Sequence, residues 1–117
     1  MPVWKASSIE ERPSVTLTQW QVFEVRGIAE DNFSTVHFVG YNIEEQEGRV
    51  SSPVVEFDVA TRRGFTQSGR IYELCGASGV DADAAYTWGR WKKINDITDA
   101  VDITSSFVVK GMRRDEP

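Results

Sequence analysis

One cysteine and one histidine in 117 residues close off several chemistries at once. A lone Cys75 excludes an internal disulfide framework. His37 and Cys75 together fall short of the four ligands that a zinc site takes, so no metal is expected. No stretch approaches the length of about 20 apolar residues that a membrane span requires. No apolar leader follows Met1 either, and the expectation is a cytoplasmic chain without a membrane partner. Also missing is any complete phosphate-binding motif. Residues 76–79 are glycine-rich in composition only, without the Lys and Ser/Thr of a P-loop, and Asp81 and Asp83 follow where a phosphate would sit. No cofactor is expected.

Positive charge is scarce in the first half. The net charge is −5, and residues 1–58 hold 4 Lys/Arg against 10 Asp/Glu, whereas residues 59–117 hold 9 against 8. An acidic chain is a poor non-specific nucleic-acid binder, because phosphate affinity grows with accumulated positive charge. A local basic face built from the second half stays open as an expectation.

Aromatic residues are plentiful, and two of the four Trp residues lie in the one convincing helix, over 81–95. Asp81 is placed to cap it, and Asp83 stands at the positive end of its dipole, with Lys92 and Lys93 near the negative end. Ala84, Trp88 and Trp91, flanked by Thr87 and Ile94, form an apolar stripe that predicts a core-facing side. Tyr86, Arg90 and Lys93 fall opposite. Gly89 costs roughly 1 kcal/mol in a helix interior and is expected to mark a close approach to a strand.

Strands are expected over 15–26, 34–42, 49–59, 70–75 and 101–110. In the first, Val15 and Leu17 share one parity and Trp20 and Val22 the other, which requires a bulge or bend between Thr18 and Val22. Phe23 and Val25 are expected back on the face of Val15. In the second, Val36 and Phe38 face one way and His37, Val39 and Tyr41 the other, so both faces should be covered. Residues 27–32 read as an acidic turn, and Glu44, Glu45 and Glu47 as a solvated hairpin.

Sequential strands with short connections favour an antiparallel meander. The expected fold is therefore a single α+β domain over 1–117, with a curved, partly barrel-like antiparallel sheet of about five strands under one main helix. An N-terminal arm at 1–13 and a charged tail at 111–117 complete it.

No catalytic set emerges. A dyad of Cys75 and His37 is disfavoured because both lie in strands, Cys75 packed and His37 half-exposed. Asp96, Asp99 and Asp102 read as loop and cap residues. The chemistry with most promise is Arg62, Arg63 and Phe65 on the connection between the third and fourth strands, since paired guanidinium groups with an aromatic suit phosphates, bases or a protein partner. Arg70, Arg90 and Lys93 could extend the same basic face. The leading expectation is a non-enzymatic module that binds a protein partner or itself as a homodimer, through an open strand edge or the 62–65 loop. Behind it stand a small nucleic-acid-binding protein using the basic face, and a ligand cup or enzyme with a pocket between sheet and helix.

Overall fold

The computed structural model describes residues 14–26 and 34–112. The arm at 1–13, the acidic turn at 27–32 and residues 113–117 of the tail lie outside the described residues. The chain is α+β, with a mixed sheet of seven strands and two helices. In order these are β1 (Ser14–Val25), β2 (Thr35–Asn42), β3 (Glu47–Val50), β4 (Val54–Asp58), β5 (Arg63–Thr66), β6 (Ile71–Leu74), α1 (Ala82–Ile94), β7 (Ala100–Asp102) and α2 (Thr104–Lys110).

The spatial order is β3-β2-β1-β6-β5-β4, with β7 beside β1. The meander is thus a correction: β1 and β6 run parallel, Ser14 to Leu17 against Ile71 to Leu74. The chain goes from β1 to β6 by way of β2 and β3 on one side and β4 and β5 on the other. A crossover of that length permits parallel pairing, which short connections forbid. The sheet curls until β4 nears β2, but it does not close into a barrel.

The parity shift in β1 is a bulge. Register slips between Thr18 and Gln21, and Gln19 takes φ 46°. Val15, Leu17, Trp20 and Val22 consequently reach one core together with Phe38, Phe57, Tyr72, Leu74 and Phe107. Beyond the bulge Val25 and Phe23 point the opposite way, into a second core with Val39, Ala84 and Trp88. They do not return to the face of Val15, because the extra residue has inverted the parity. The second strand is covered on both faces as its pattern requires, Phe38 in one core and Val39 in the other.

The expected strand 49–59 breaks into β3 and β4 at Ser51 to Pro53, where proline cannot donate to a ladder. The connection after it contains β5, so Phe65 is a half-buried strand residue rather than part of a hairpin tip. The expected last strand is β7 followed by α2. After Ile103 donates its N–H to Val22 O (2.9 Å), the next edge of β1 is already occupied: Cys75 N bonds Leu17 O (2.8 Å) and Gly79 N bonds Trp20 O (3.1 Å). With no ladder to join, the chain coils and delivers Phe107 to the core. Gly111 and Met112 then return to the sheet, Met112 bridging Phe57 on β4.

Helix α1 follows its sequence signals closely. Asp81 accepts from Ala84 N at 3.0 Å, and Ala84 and Trp88 are buried, Trp91 half-buried. Tyr86, Arg90 and Lys93 are exposed. Ile94 does not flank the stripe but lies in solvent, 72% exposed. The close approach falls elsewhere than expected. A Cβ on Gly89 would meet nothing within 4 Å, while one on Gly48 of β3 would stand 2.4 Å from Asp83 O and 2.6 Å from Thr87 Oγ1. It is β3, not α1, that gives up a side chain for the contact. Gly89→Ala should therefore stabilise the fold by up to about 1 kcal/mol, read as a raised urea midpoint. An unchanged or lowered midpoint would show that Gly89 has a role within the folded chain.

Candidate functional site

Three places gather side chains with chemistry. The first lies beneath α1, where Phe23, Trp88, Trp91 and His37 form a run of rings. Centroids are 4.6 Å apart for Phe23 and Trp88, 5.4 Å for Trp88 and Trp91, and 4.8 Å for Trp91 and His37. His37 is 2% exposed rather than half-exposed. Its Nδ1 lies 2.8 Å from Ser51 O, and a carbonyl can only accept, so Nδ1 carries the proton. Nε2, 2.8 Å from Thr35 Oγ1, then accepts. Both ring nitrogens are committed, and Cys75 is exposed rather than packed. Neither residue is arranged for the other.

Burial pushes the imidazole below its ordinary 6.5, more than the Ser51 carbonyl can restore. A His with a depressed pKa stabilises the fold fully above about pH 6.5, where folded and unfolded chains are both neutral. Below that the unfolded chain takes the proton first, and the contribution falls until the folded pKa is passed. The urea midpoint should decline from pH 7.5 to 5, and His37→Gln, though less stable overall, should lose that part of the slope. An equal slope in both proteins would reject the assignment.

The second place holds the expected binding residues, and the structure divides them. Arg62, in the β4–β5 turn at φ 58°, sits 5.4 Å above the Trp20 ring and donates from Nη1 to Gly76 O at 2.8 Å. Arg63 bonds Glu73 at 2.8 Å. Phe65 shares β5 with Arg63, and Arg70, the residue immediately before β6, is buried. Arg90 and Lys93 stand on α1, which packs on β2 and β3. Arg62 and Arg63 are neighbours, but Arg90 and Lys93 belong to another layer. The acidic hairpin is likewise engaged, since Glu44 accepts from Thr16 N (3.0 Å) and Thr16 Oγ1 (2.9 Å). Among the described residues no group of His, Cys, Asp or Glu could hold a metal ion, and no helix is long and apolar enough to cross a membrane.

The third place was not visible in the sequence. One edge of β1 is shared: β6 takes Ser14 to Leu17 and β7 takes Phe23 to Val25. Between them, around the bulge, no strand pairs with this edge, which leaves a fork between β6 and β7. A groove of about 380 Å³ opens there, lined by Gln21, Ser78, Val80, Asp102, Thr104 and Val108 among others.

No family model, no curated protein and no solved structure matches the chain.

Asp102 organises the groove. Its Oδ1 accepts from Thr104 N at 2.9 Å and from Thr104 Oγ1 at 2.5 Å, while Oδ2 accepts from Gln21 Nε2 at 3.1 Å. Thr104 Oγ1 in turn accepts from Val22 N at 2.9 Å, replacing the ladder bond that β1 lacks at this point. Burial raises the Asp102 pKa, but the Thr104 and Gln21 hydrogen bonds outweigh it and hold the carboxyl below its ordinary 3.8. A carboxylate fixed in this way is a poor proton donor or base near neutrality, where a useful catalytic pKa would lie close to the working pH. It is a good anchor for a cation. Val80, 67% exposed, and half-buried Val108 supply apolar walls beside it. The sequence offered Asp102 only as a loop or cap residue; it is instead the last residue of β7, and the N-cap of α2 is Ile103. The groove draws on three separate segments, β1, residues 78–80 and the β7–α2 stretch, that no local pattern connects.

Proposed function

We propose that the chain is a non-enzymatic protein-binding module that takes a basic segment of a partner into the groove at the β1 fork. The observation that supports this reading most directly is the Asp102 carboxylate, held by Thr104 and Gln21 between two apolar walls. A Lys or Arg side chain suits such a site, since its methylene stem lies along valine while its charged head meets the carboxylate. The net charge of −5 favours the same class of partner.

A second reading, a small-ligand cup, draws on the groove volume, which lies within the roughly 300–1,000 Å³ of small-molecule sites. The nucleic-acid reading has least support, because the basic residues are divided between layers and Arg63 is already paired.

Titrating isotope-labelled protein with short Lys- or Arg-containing peptides tests the proposal. Amide shifts should move for Gln21, residues 78–80 and residues 102–105, with no response to acidic peptides of equal length. Val80→Lys alters an exposed residue and should weaken binding by about tenfold, or about 1.4 kcal/mol. Silence of these amides up to millimolar peptide would reject the proposal, and a response to neutral polyols alone would favour the cup.

A further inference from the structure

Among the described residues, the outer face of α1 has no partner. Its core stripe is Ala84, Trp88 and Trp91, so the opposite side presents Ala82, Tyr86, Gly89 and Lys93 at i, i+4, i+7 and i+11, all exposed. Tyr86 is 67% exposed, and Ile94 lies free on the flank. Tyrosine is among the residues most enriched at interface centres. Gly89 is destabilising in this position, and a Cβ there would touch none of the described residues. What a bare backbone at Gly89 does allow is the close approach of something from outside.

The charge pattern along the helix says what fits. Asp83 lies in the first turn, and Arg90 and Lys93 lie near the last. A second copy packed in parallel would set like charges together. Packed antiparallel, it sets the acidic end of each helix beside the basic end of the other, and the helix dipoles oppose as well. A two-fold axis midway between Tyr86 and Gly89 lays the Tyr86 ring on Gly89 of the second copy and brings Asp83 toward its Arg90. The surface is therefore complementary to itself, which a two-fold dimer requires.

We infer that two copies of this chain pair antiparallel through the outer faces of α1, with Tyr86 seated on Gly89 of the other copy and Asp83 facing its Arg90. The pairing goes beyond the proposed groove function and does not depend on it, because α1 contributes no residue to the groove. One helix face is smaller than the roughly 1,200 Å² that stable interfaces bury, so association in the range of tens of micromolar is expected.

Sedimentation velocity of the whole chain from about 1 to 300 µM reads the outcome, the mass rising from 13.2 kDa toward twice that value. Association should weaken with salt, since its ion pairs are solvent-exposed. Gly89→Leu should weaken it at least tenfold while leaving the thermal midpoint of the monomer unchanged or raised, which separates loss of pairing from loss of folding. Asp83→Arg and Arg90→Asp should each weaken it, and the double exchange should restore it to within about threefold, because every pair is then reversed. A monomer at all concentrations overturns the inference. So does a dimer indifferent to Gly89→Leu, or one that the double exchange fails to restore.

Discussion

Phe38→Ala is expected to cost about 3–5 kcal/mol, the range for removing a fully enclosed aromatic side chain. The Phe38 ring is wholly buried and stands among Phe57, Tyr72 and Phe107, with centroids at 5.9, 5.7 and 6.1 Å. It also lies over Gly64, where an added Cβ would meet Phe38 Cε2 and Cζ at 2.4 Å. Three other rings hold Phe38 in place, so Gly64→Ala alone should cost about 1–3 kcal/mol by overpacking. In the Phe38→Ala background the same methyl enters vacated space and should be neutral or stabilising. Urea unfolding of the four proteins in this cycle measures the coupling. Additive costs would mean that the ring does not cover Gly64.

Gly48→Ala should be similarly damaging for a different reason. The added methyl would collide with the Asp83 carbonyl and with Thr87 Oγ1, and backbone atoms cannot rotate aside as the tip of a long side chain can. α1 must lift or tilt, which loosens Trp88 and Trp91 from Phe23 and His37. The expected loss is about 1–3 kcal/mol, with red-shifted tryptophan emission and weakened near-ultraviolet dichroism in the folded baseline. An unchanged spectrum and midpoint would show that the helix does not rest on β3.

The features legible in the sequence were those fixed by neighbours in the chain. The cap at Asp81, the core stripe of α1, the bulge near Gln19 and the two-sided burial of β2 are all written within a dozen residues. Pairing between distant strands is not. Nothing local announces that Ile71 to Leu74 will run parallel to Ser14 to Leu17. β5 is four residues long and carries little periodicity. Phe107, Val108 and Val109 have the composition of a strand, and only the occupied edge of β1 makes them helical. Gly89 and Gly48 show the same limit. Both are glycines beside an element boundary or stripe, and which one meets a neighbour is decided by tertiary packing. The groove follows from the fork, so it could be found only once the topology was known.

The central position of β1 also bears on how fast the molecule can form. One edge of this strand is completed by β6 and β7, which are synthesised long after it. Until residues 100–102 meet Phe23 to Val25, the middle of the sheet keeps open hydrogen-bonding groups that another chain could engage. Closing so long a loop costs entropy before its contacts return any stability, a pattern associated with slow folding. The local helix at α1 has no such delay, but the strand it must rest on, β3, is anchored through β2 to β1. The clock for the whole domain is therefore set by the most distant pairing, and the interval before it closes is when the chain is most exposed to other copies of itself.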